Sequence, residues 1–348
     1  MQVNIPLKQL IDNSYDITID RIPKLNYDTK VAIVTNPKVA GLHLAYLLSK
    51  ISAKELYIIT VPDGEEYKNQ ASIDLILESL FNHRFNRKSL LIAFGGGVIG
   101  DMTGYASSIY QRGIDFVQIP TTLLSQVDAS VGGKTGINNT YGKNLIGAFH
   151  QPRAVYIDPH FLTTLPQREF GAGIAEVVKM AVTFNKEFFE YLESADLNNK
   201  ALLQEAIKQA VETKADVVAK DEKEHGLRAA LNYGHTFGHV IENETAYKKY
   251  LHGEAVAIGM VMANALSVKL GLMSEDEALR VKTLLEKYDL PTHYTIENVE
   301  SFYEAFFLDK KSSDATITFI LPVGLGDVKI TDSIDKSIVV SVLESFGK

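Results

Sequence analysis

The sequence has no cysteine in 348 residues. Disulfides, thiolate metal ligands and a cysteine nucleophile are therefore excluded. Any bound metal must be held by histidine, aspartate or glutamate side chains.

Long hydrophobic runs and basic tracts are also missing. No apolar run approaches the ~20 residues of a membrane span, and the N-terminus lacks the pattern of a signal peptide. We therefore predict no membrane association and a cytoplasmic protein. The net charge of −8 argues against binding to nucleic acid. It would also repel an anionic substrate, so an anion site would need a local cluster of Lys and Arg.

The length of the chain suggests two domains. In the first 160 residues, short branched apolar runs alternate with helical patterns. The predicted strands are 31–35, 56–61, 89–94, 115–119 and 154–157, and the helical patterns are 39–51, 70–84 and 98–110. This alternation predicts a Rossmann-like α/β domain with a mostly parallel sheet.

After Pro166 the patterns are almost all helical. Helices are predicted at 167–184, 197–220, 236–246, 252–271, 275–288, 297–306 and 335–346, and a late hairpin at 316–321 and 326–330. We predict an α/β dinucleotide-binding domain over 1–160 and a mostly α-helical metal- and substrate-binding domain over 161–348. A cleft between domains is a common ligand site.

A glycine-rich turn follows the third predicted strand, in SLLIAFGGGVIGD (89–101). Glycine allows close backbone approach to a pyrophosphate, and a helix N-terminus supplies free N–H donors. The spacing is not GxGxxG, so a tight turn without a ligand remains an alternative for this motif alone.

Polar residues follow two other predicted strands. Asp63, Glu65 and Lys68 come after one, and Thr121 and Thr122 come after another. Ligands of open α/β sheets collect beyond the carboxyl ends of strands. A carboxylate there could bind a ribose hydroxyl, although a solvated loop is favoured for 63–68 in isolation.

Histidines cluster in LNYGHTFGHVIE (231–242) and HGEAV (252–256). His235 and His239 share one face of a predicted helix, and His252 opens the next. Such imidazoles suit zinc, with a carboxylate completing the ligands. Thr236 stands where HExxH has glutamate, so metalloprotease chemistry is disfavoured. The residues alone do not decide which carboxylate is the metal ligand, since Glu176, Glu242 and Glu254 are all possible.

Two lysines, Lys134 and Lys143, lie in the Gly/Asn-rich segment VGGKTGINNTYGKN (131–144), which we predict to be a binding loop. Convergence with other basic residues would create the required anion site. The other basic candidates are Arg112, Lys179, Lys214, Arg228, Lys310 and Lys311. Taken singly, Lys214 and one of the pair at 310–311 are expected to be solvated.

Several segments together resemble 3-dehydroquinate synthases. They are 63–68, 95–113, 119–138, 142–152, 161–166, 176–179, 231–242, 252–256 and 309–311, in family order and over most of the chain. The resemblance implies NAD and one divalent metal, zinc or cobalt, as cofactors. It implies conversion of 3-deoxy-D-arabino-heptulosonate 7-phosphate to 3-dehydroquinate and phosphate, the second step of the shikimate route. The implied course is transient oxidation by NAD, β-elimination of phosphate, re-reduction, ring opening and intramolecular aldol closure.

The resemblance also implies residue roles. Metal ligands would be Glu176, His235 and His252, and His239 would contact the substrate phosphate. NAD contacts would be Asn36, Asp63, Gly64, Glu65, Glu66, Tyr67, Lys68, Gly96, Gly97, Val98, Ile99, Gly100, Asp101, Thr121, Thr122, Lys134, Lys143, Phe161, Leu162, Thr163 and Thr164. Substrate contacts would be Asp128, Lys134, Asn144, Lys179, Lys214, Arg228, Asn232 and one of Lys310 and Lys311.

Two further points follow from the resemblance. Arg112 matches a residue that reaches the neighbouring subunit's site, which implies a homodimer. Asn36 stands where many relatives have aspartate against the adenosine ribose, so weaker recognition is expected there.

Rival functions are another sugar phosphate cyclase, a glycerol-type metal-dependent polyol dehydrogenase, or a non-catalytic NAD- or metal-binding regulator. Arg228 and the lysines favour a substrate with carboxylate and phosphate groups over a neutral polyol.

Overall fold

The computed structural model describes residues 12–307 and 316–348. Its strands are β1 (Asp16–Ile19), β2 (Leu25–Thr35), β3 (Ile51–Thr60), β4 (Leu90–Gly95), β5 (Asp115–Pro120), β6 (Lys134–Asn139), β7 (Gly142–Phe149), β8 (Ala154–Ile157), β9 (Phe319–Pro322) and β10 (Val328–Thr331). Its α-helices are α1 (Pro37–Leu48), α2 (Gln70–Asn82), α3 (Gly97–Ile109), α4 (Gln167–Phe184), α5 (Lys186–Ser194), α6 (Lys200–Lys220), α7 (His235–Glu244), α8 (His252–Lys269), α9 (Glu275–Glu286), α10 (Val299–Ala305) and α11 (Lys336–Glu344).

A six-stranded sheet organises the N-terminal part, in the order β1-β8-β5-β4-β2-β3. All its strand pairs are parallel. Side chains alternate between faces, so Val31 and Ile33 enter one core while Ala32 and Val34 enter the other. The predicted parallel α/β domain is confirmed.

The chain reverses its direction of travel across the sheet between β2 and β4. From β2 it continues to β3 on one side, and β4 then pairs with β2 on the other. The carboxyl ends of β2 and β4 are therefore neighbours, at the kind of crevice where α/β sheets bind ligands.

The C-terminal part is mostly helical, as predicted, with the predicted late hairpin formed by β9 and β10. Its core includes buried residues of α4 and α8. The two helices touch by backbone at Gly253, where a Cβ would overlap the carbonyl oxygen of Ala172 and lie 2.7 Å from its Cα. Among the described residues, no helix is both long and apolar enough to cross a membrane.

The segment 131–144 is not a loop, so that prediction is wrong. Most of it belongs to the antiparallel hairpin β6–β7, in which Lys134 pairs with Phe149. A glycine of α3 allows the hairpin to pack closely on that helix. At Gly104, a Cβ would overlap Thr135 of β6 and lie 3.1 Å from Phe116.

The helix expected at 197–220 is confirmed and begins at Lys200. Two elements were not predicted, the helix α5 and the strand β1. Asn185 separates α5 from α4, because its backbone is extended and its side chain accepts a hydrogen bond from Phe188 N at 2.9 Å. The edge strand β1 has only four residues, which give too short a pattern.

Candidate active site

Three helices bring together a cluster of metal-ligand side chains. Glu176 comes from α4, while His235 and His252 are the first residues of α7 and α8. The Nε2 atoms of both histidines lie 3.8 Å from Oε1 of Glu176. One ligand atom from each residue can be chosen so that all lie within 4.8 Å of one another. Histidine and carboxylate ligands of this kind suit zinc and related divalent ions.

The histidine rings are oriented by partners behind them. His235 Nδ1 lies 3.1 Å from the carbonyl oxygen of Tyr233, and His252 Nδ1 lies 3.3 Å from Oε1 of Glu242. Each ring thus turns Nε2 towards Glu176, the arrangement that fixes histidine ligands in metal sites. Glu242, one of the three candidate carboxylate ligands, therefore contacts the far side of the His252 ring and orients it.

Charge and burial in the cluster also fit a cation. Burial, with Lys179 and the neighbouring histidines, holds the pKa of His235 well below its usual value, so this imidazole is neutral. Glu176 is fully buried, and its Oε1 accepts no hydrogen bond from the described residues. A buried carboxylate oxygen without a donor is costly unless a cation satisfies it.

His239 lies beside the cluster. Its ring centroid is 5.5 Å from that of His235 and 6.3 Å from that of His252. It shares a helix face with His235, as the spacing predicted, and it is positioned next to the ligand atoms.

Buried lysines adjoin the metal cluster. Lys179 forms an ion pair with Glu176 one turn away on α4, and its Nζ lies 3.9 Å from Oδ1 of Asp128. Lys214 donates to the same Oδ1 at 2.8 Å and to the Asp128 carbonyl at 2.6 Å. Only 6% of Lys214 is exposed. The single-residue expectation of a solvated Lys214 is therefore wrong, because α6 packs this lysine against the 125–129 π-turn that carries Asp128.

These contacts set the protonation states. Burial disfavours the Asp128 carboxylate, but Lys214 and Lys179 outweigh it and lower the pKa of Asp128. Burial lowers the pKa of Lys214 despite Asp128. For Lys179, the charges of Glu176 and Asp128 outweigh burial and raise the pKa.

Lys134 and Asn232 both bind the carboxylate of Glu224, while Arg228 binds backbone carbonyl oxygens. Lys134 forms an ion pair with Glu224, and Asn232 Nδ2 donates to the other oxygen of Glu224 at 2.8 Å. Arg228 is 2% exposed and donates to the carbonyl oxygens of Glu222 and, at 3.1 Å, Gly132. Sequence reasoning missed Glu224, because this residue lies in a charged run typical of a solvated loop.

The glycine turn has the geometry of an anion site. Gly96 caps α3 without any side-chain hydrogen bond, which leaves the first N–H groups of the helix to a ligand. A Cβ at Gly96 would lie 3.2 Å from Cγ2 of Thr122, and one at Gly97 would lie 3.3 Å from Cβ of Ala129. The turn and Thr122 are therefore neighbours, as their places at adjacent strand ends predict.

Asn36 and Asp63 are hydrogen-bonded at the ends of β2 and β3. Asn36 Nδ2 donates to Oδ1 of Asp63 at 2.7 Å, and its Oδ1 accepts from Val39 N at 2.8 Å. Asn36 therefore caps α1 and orients Asp63, which is exposed beyond the end of β3. An aspartate could make only the capping bond.

Lys68 is anchored between two elements. Its Nζ donates to Asp101 at 2.6 Å and to Asn144 at 2.5 Å, and 5% of the residue is exposed. Burial opposes its charge, but Asp101 and Glu65 raise the pKa of Lys68. The 63–68 segment is thus joined to α3 and the hairpin.

Lys143 of β7 contacts the helical part of the chain. Its Nζ lies 3.5 Å from Oε1 of Glu242 and 3.9 Å from the ring centroid of Tyr247. The hairpin therefore contacts the residue that orients His252.

Four of the other predicted NAD contacts, at 161–164, follow β8. Phe161 and Leu162 are buried, Thr163 is exposed, and Thr164 Oγ1 lies 2.7 Å from Nε2 of His43. Arg112 is exposed in a turn, with φ 71°. Lys310 and Lys311 lie outside the described residues.

The fold, together with the metal cluster and the glycine turn, defines a class of proteins that is known from solved structures. The chain is similar to 2-epi-5-epi-valiolone synthase from Streptomyces hygroscopicus subsp. jinggangensis 5008, solved with NAD+ and Zn2+ bound (TM-score 0.87, 27% identity, covering 98% of this chain and 99% of that one). It is also similar to 2-deoxy-scyllo-inosose synthase complexed with carbaglucose-6-phosphate, NAD+ and Co2+ (TM-score 0.79, 25% identity, covering 92% and 91%).

Sequence comparison gives the family. The N-terminal model of 3-dehydroquinate synthase matches residues 58–172, and the C-terminal model matches 173–312. The 3-dehydroquinate synthase of Sulfurimonas denitrificans is 74% identical over 348 residues, covering 100% of both chains. The chain belongs to the 3-dehydroquinate synthase family, which confirms the resemblance.

Proposed function

We propose that this protein converts 3-deoxy-D-arabino-heptulosonate 7-phosphate to 3-dehydroquinate and inorganic phosphate, as an NAD- and divalent-metal-dependent carbon–oxygen lyase. The observation that carries the proposal is the junction of two sites at Lys179. This lysine pairs with Glu176 of the metal cluster and approaches Asp128 of the basic cluster. A substrate with hydroxyl, carboxylate and phosphate groups could therefore bind both clusters at once.

Glu176, His235 and His252 would hold the metal, and Gly96 and Gly97 would receive the pyrophosphate of NAD. When bound, the metal polarises substrate hydroxyls and NAD serves as a transient hydride acceptor. The other NAD contacts implied by the resemblance are proposed with the same roles.

The protein's own groups would bind and orient the substrate. Lys134, Arg228 and Asn232 would bind its anionic groups, and His239 would contact its phosphate beside the metal. Lys179, Lys214 and Asp128 would provide a preorganised charged wall, so little reorganisation is needed during reaction.

The test is phosphate release from the heptulosonate phosphate with NAD and zinc, followed together with absorbance of NADH. We expect phosphate release that a chelator abolishes, without lasting NADH. Steady NADH from glycerol or another polyol, without phosphate release, would identify a polyol dehydrogenase. Metal and NAD binding without turnover of any sugar phosphate would identify a non-catalytic protein.

We also propose a homodimer in which Arg112 completes the partner's site, and a domain division at residues 160–161. The exposed position of Arg112 supports the first part. If equal amounts of Arg112→Ala and His252→Ala subunits reassort at random, half of the dimers are mixed and each of these has one intact site of two, so about a quarter of wild-type activity would return. Absence of any regain in verified mixed dimers would contradict the role of Arg112.

A further inference from the structure

A bidentate ion pair joins the beginnings of α4 and α8. Arg168, the second residue of α4, donates from Nε to Oε1 of Glu254 at 2.6 Å and from Nη2 to Oε2 at 2.7 Å. Such fork-to-carboxylate pairs constrain direction as well as distance. The pair therefore fixes how the first turns of the two helices face each other.

The same two side chains also hold the backbone that leads into α8. Glu254 Oε2 accepts from the N–H of Leu251 at 2.7 Å, and Arg168 Nη2 donates to the carbonyl of Lys249 at 2.8 Å. The next residue after Leu251 is His252. Arg168 and Glu254 thus hold the backbone just before His252, and Glu254 itself lies in the first turn of α8 with this histidine.

Each of the two helices carries one residue of the metal cluster. Glu176 lies on α4 and His252 on α8, with 3.8 Å between Oε1 and Nε2. The backbone contact of Gly253 with Ala172 lies between the ion pair and Glu176 along α4. A change at the ion pair would therefore shift α8 relative to α4 at the residue that supplies a ligand.

We propose that Arg168 and Glu254 are positioning residues of the metal site, which set the separation of Glu176 and His252. The inference rests on the proposed metal role of these two residues. Arg168 acts through Glu254 and the 249–251 backbone.

The chain contains a matched control pair. Arg280 donates from Nε to Oε1 of Glu193 at 2.9 Å and from Nη2 to Oε2 at 2.6 Å. This pair joins α9 to α5 with the same fork geometry, and neither helix carries a proposed metal ligand. Losing it removes an equivalent ion pair without disturbing the α4–α8 junction.

The experiment measures the zinc dissociation constant of the full-length protein by competition with a chromophoric chelator. Arg168→Met, Arg168→Lys, Glu254→Gln and Arg280→Met are compared with wild type, and NAD affinity and urea unfolding are measured for each. We expect Arg168→Met to weaken zinc binding about three- to tenfold, less than the roughly 10–100-fold that follows loss of a direct partner of a metal ligand. Arg168→Lys should recover part of the lost zinc affinity. Arg280→Met should bind zinc about as tightly as wild type, although its stability against urea should fall about as much as that of Arg168→Met.

Equal zinc affinity in Arg168→Met and Arg280→Met would overturn the inference, because the Arg168–Glu254 ion pair would then contribute only to the stability of the fold. If Arg168→Met does not fold, Arg168→Lys and Glu254→Gln decide by the same comparison. A wild-type protein that binds no zinc or cobalt would instead refute the metal role in the proposed function. Unchanged NAD affinity in the Arg168 variants is the expected sign that the effect is local to the metal cluster.

Discussion

At the residue scale, the support of His252 by Glu242 is open to direct test. Glu242→Gln keeps the size of the side chain but removes the charge that faces Nδ1 of His252. Loss of such support typically weakens metal binding about 10–100-fold, so we expect zinc affinity to fall within that range. Chelator competition would measure it.

Glu244→Gln is the matched control for that substitution. Glu244 lies on the same helix and accepts a hydrogen bond from Tyr294 at 2.7 Å, with no contact to the metal cluster among the described residues. A similar loss of zinc affinity in both variants would mean that net charge, and not orientation of His252, is responsible.

Sequence patterns could locate the histidines but not choose the carboxylate. Glu176, Glu242 and Glu254 all lie near the cluster, and the spacing of residues does not distinguish them. Their partners do: Glu242 accepts behind His252 and Glu254 pairs with Arg168, while Glu176 faces both Nε2 atoms. The family resemblance implied the same ligand, because it carries three-dimensional information that spacing lacks.

At the scale of elements, the contact of α4 with α8 depends on Gly253. Gly253→Ala would place a methyl group against the backbone of Ala172, which cannot yield as a side chain can. Overpacking of this kind costs about 1–3 kcal/mol, and we expect that loss in the free energy of unfolding measured with urea.

Gly41→Ala provides the opposite case. Gly41 lies within α1 and a Cβ there would meet nothing within 4 Å. Alanine in an open helical position should stabilise by about 0.5–1 kcal/mol. Destabilisation by both variants would show that packing at Gly253 is not the cause.

A carboxylate also organises the turn before Arg228. Asp221 accepts from the N–H groups of His225, Gly226 and Arg228 at 2.9, 2.8 and 3.0 Å. The hydrogen bonds to His225 and Arg228 lower the pKa of Asp221. Its stabilisation is therefore present above the unfolded pKa of about 3.9 and is lost as pH falls through the lower native pKa.

We expect Asp221→Asn to be less stable than wild type at pH 7, with a difference that shrinks as the pH falls below about 4. Urea unfolding at a series of pH values measures this. A difference that is independent of pH would assign the effect to amide geometry and not to charge.

Strand and helix periodicity gave the parallel sheet and most helices, but not the β6–β7 hairpin. Glycine and asparagine in 131–144 are typical of loops. Here the glycines Gly136 and Gly147 face each other across the hairpin, where a side chain at either would overlap the opposite backbone. Such a use of glycine depends on the neighbouring strand, which local pattern cannot reveal.

At the scale of the whole molecule, the hairpin joins the two parts of the chain. Lys134 pairs with Glu224 and Lys143 lies near Glu242, so both lysines reach carboxylates of the helical part. The sequence placed both lysines in a binding segment, but it gave no indication of these partners, since each pair is about 90 residues or more apart.

The pairing of Lys134 and Asn232 with Glu224 means that the chain supplies its own competitor for an anion. A substrate carboxylate or phosphate that binds these two residues must first displace Glu224. When an internal group occupies the site, the apparent affinity for substrate equals the intrinsic affinity multiplied by the fraction of molecules whose site is free. An ion pair of this exposure is worth up to about 1 kcal/mol, so Glu224→Gln should lower KM about two- to fivefold.

Steady-state kinetics of Glu224→Gln would measure that effect, with Glu222→Gln as control for simple removal of a nearby charge. A higher KM in Glu224→Gln would mean that Glu224 holds Lys134 ready and does not block it. If the expected result holds, vacant protein is self-inhibited, and affinity for substrate is limited by an exchange of salt-bridge partners as well as by the contacts finally made.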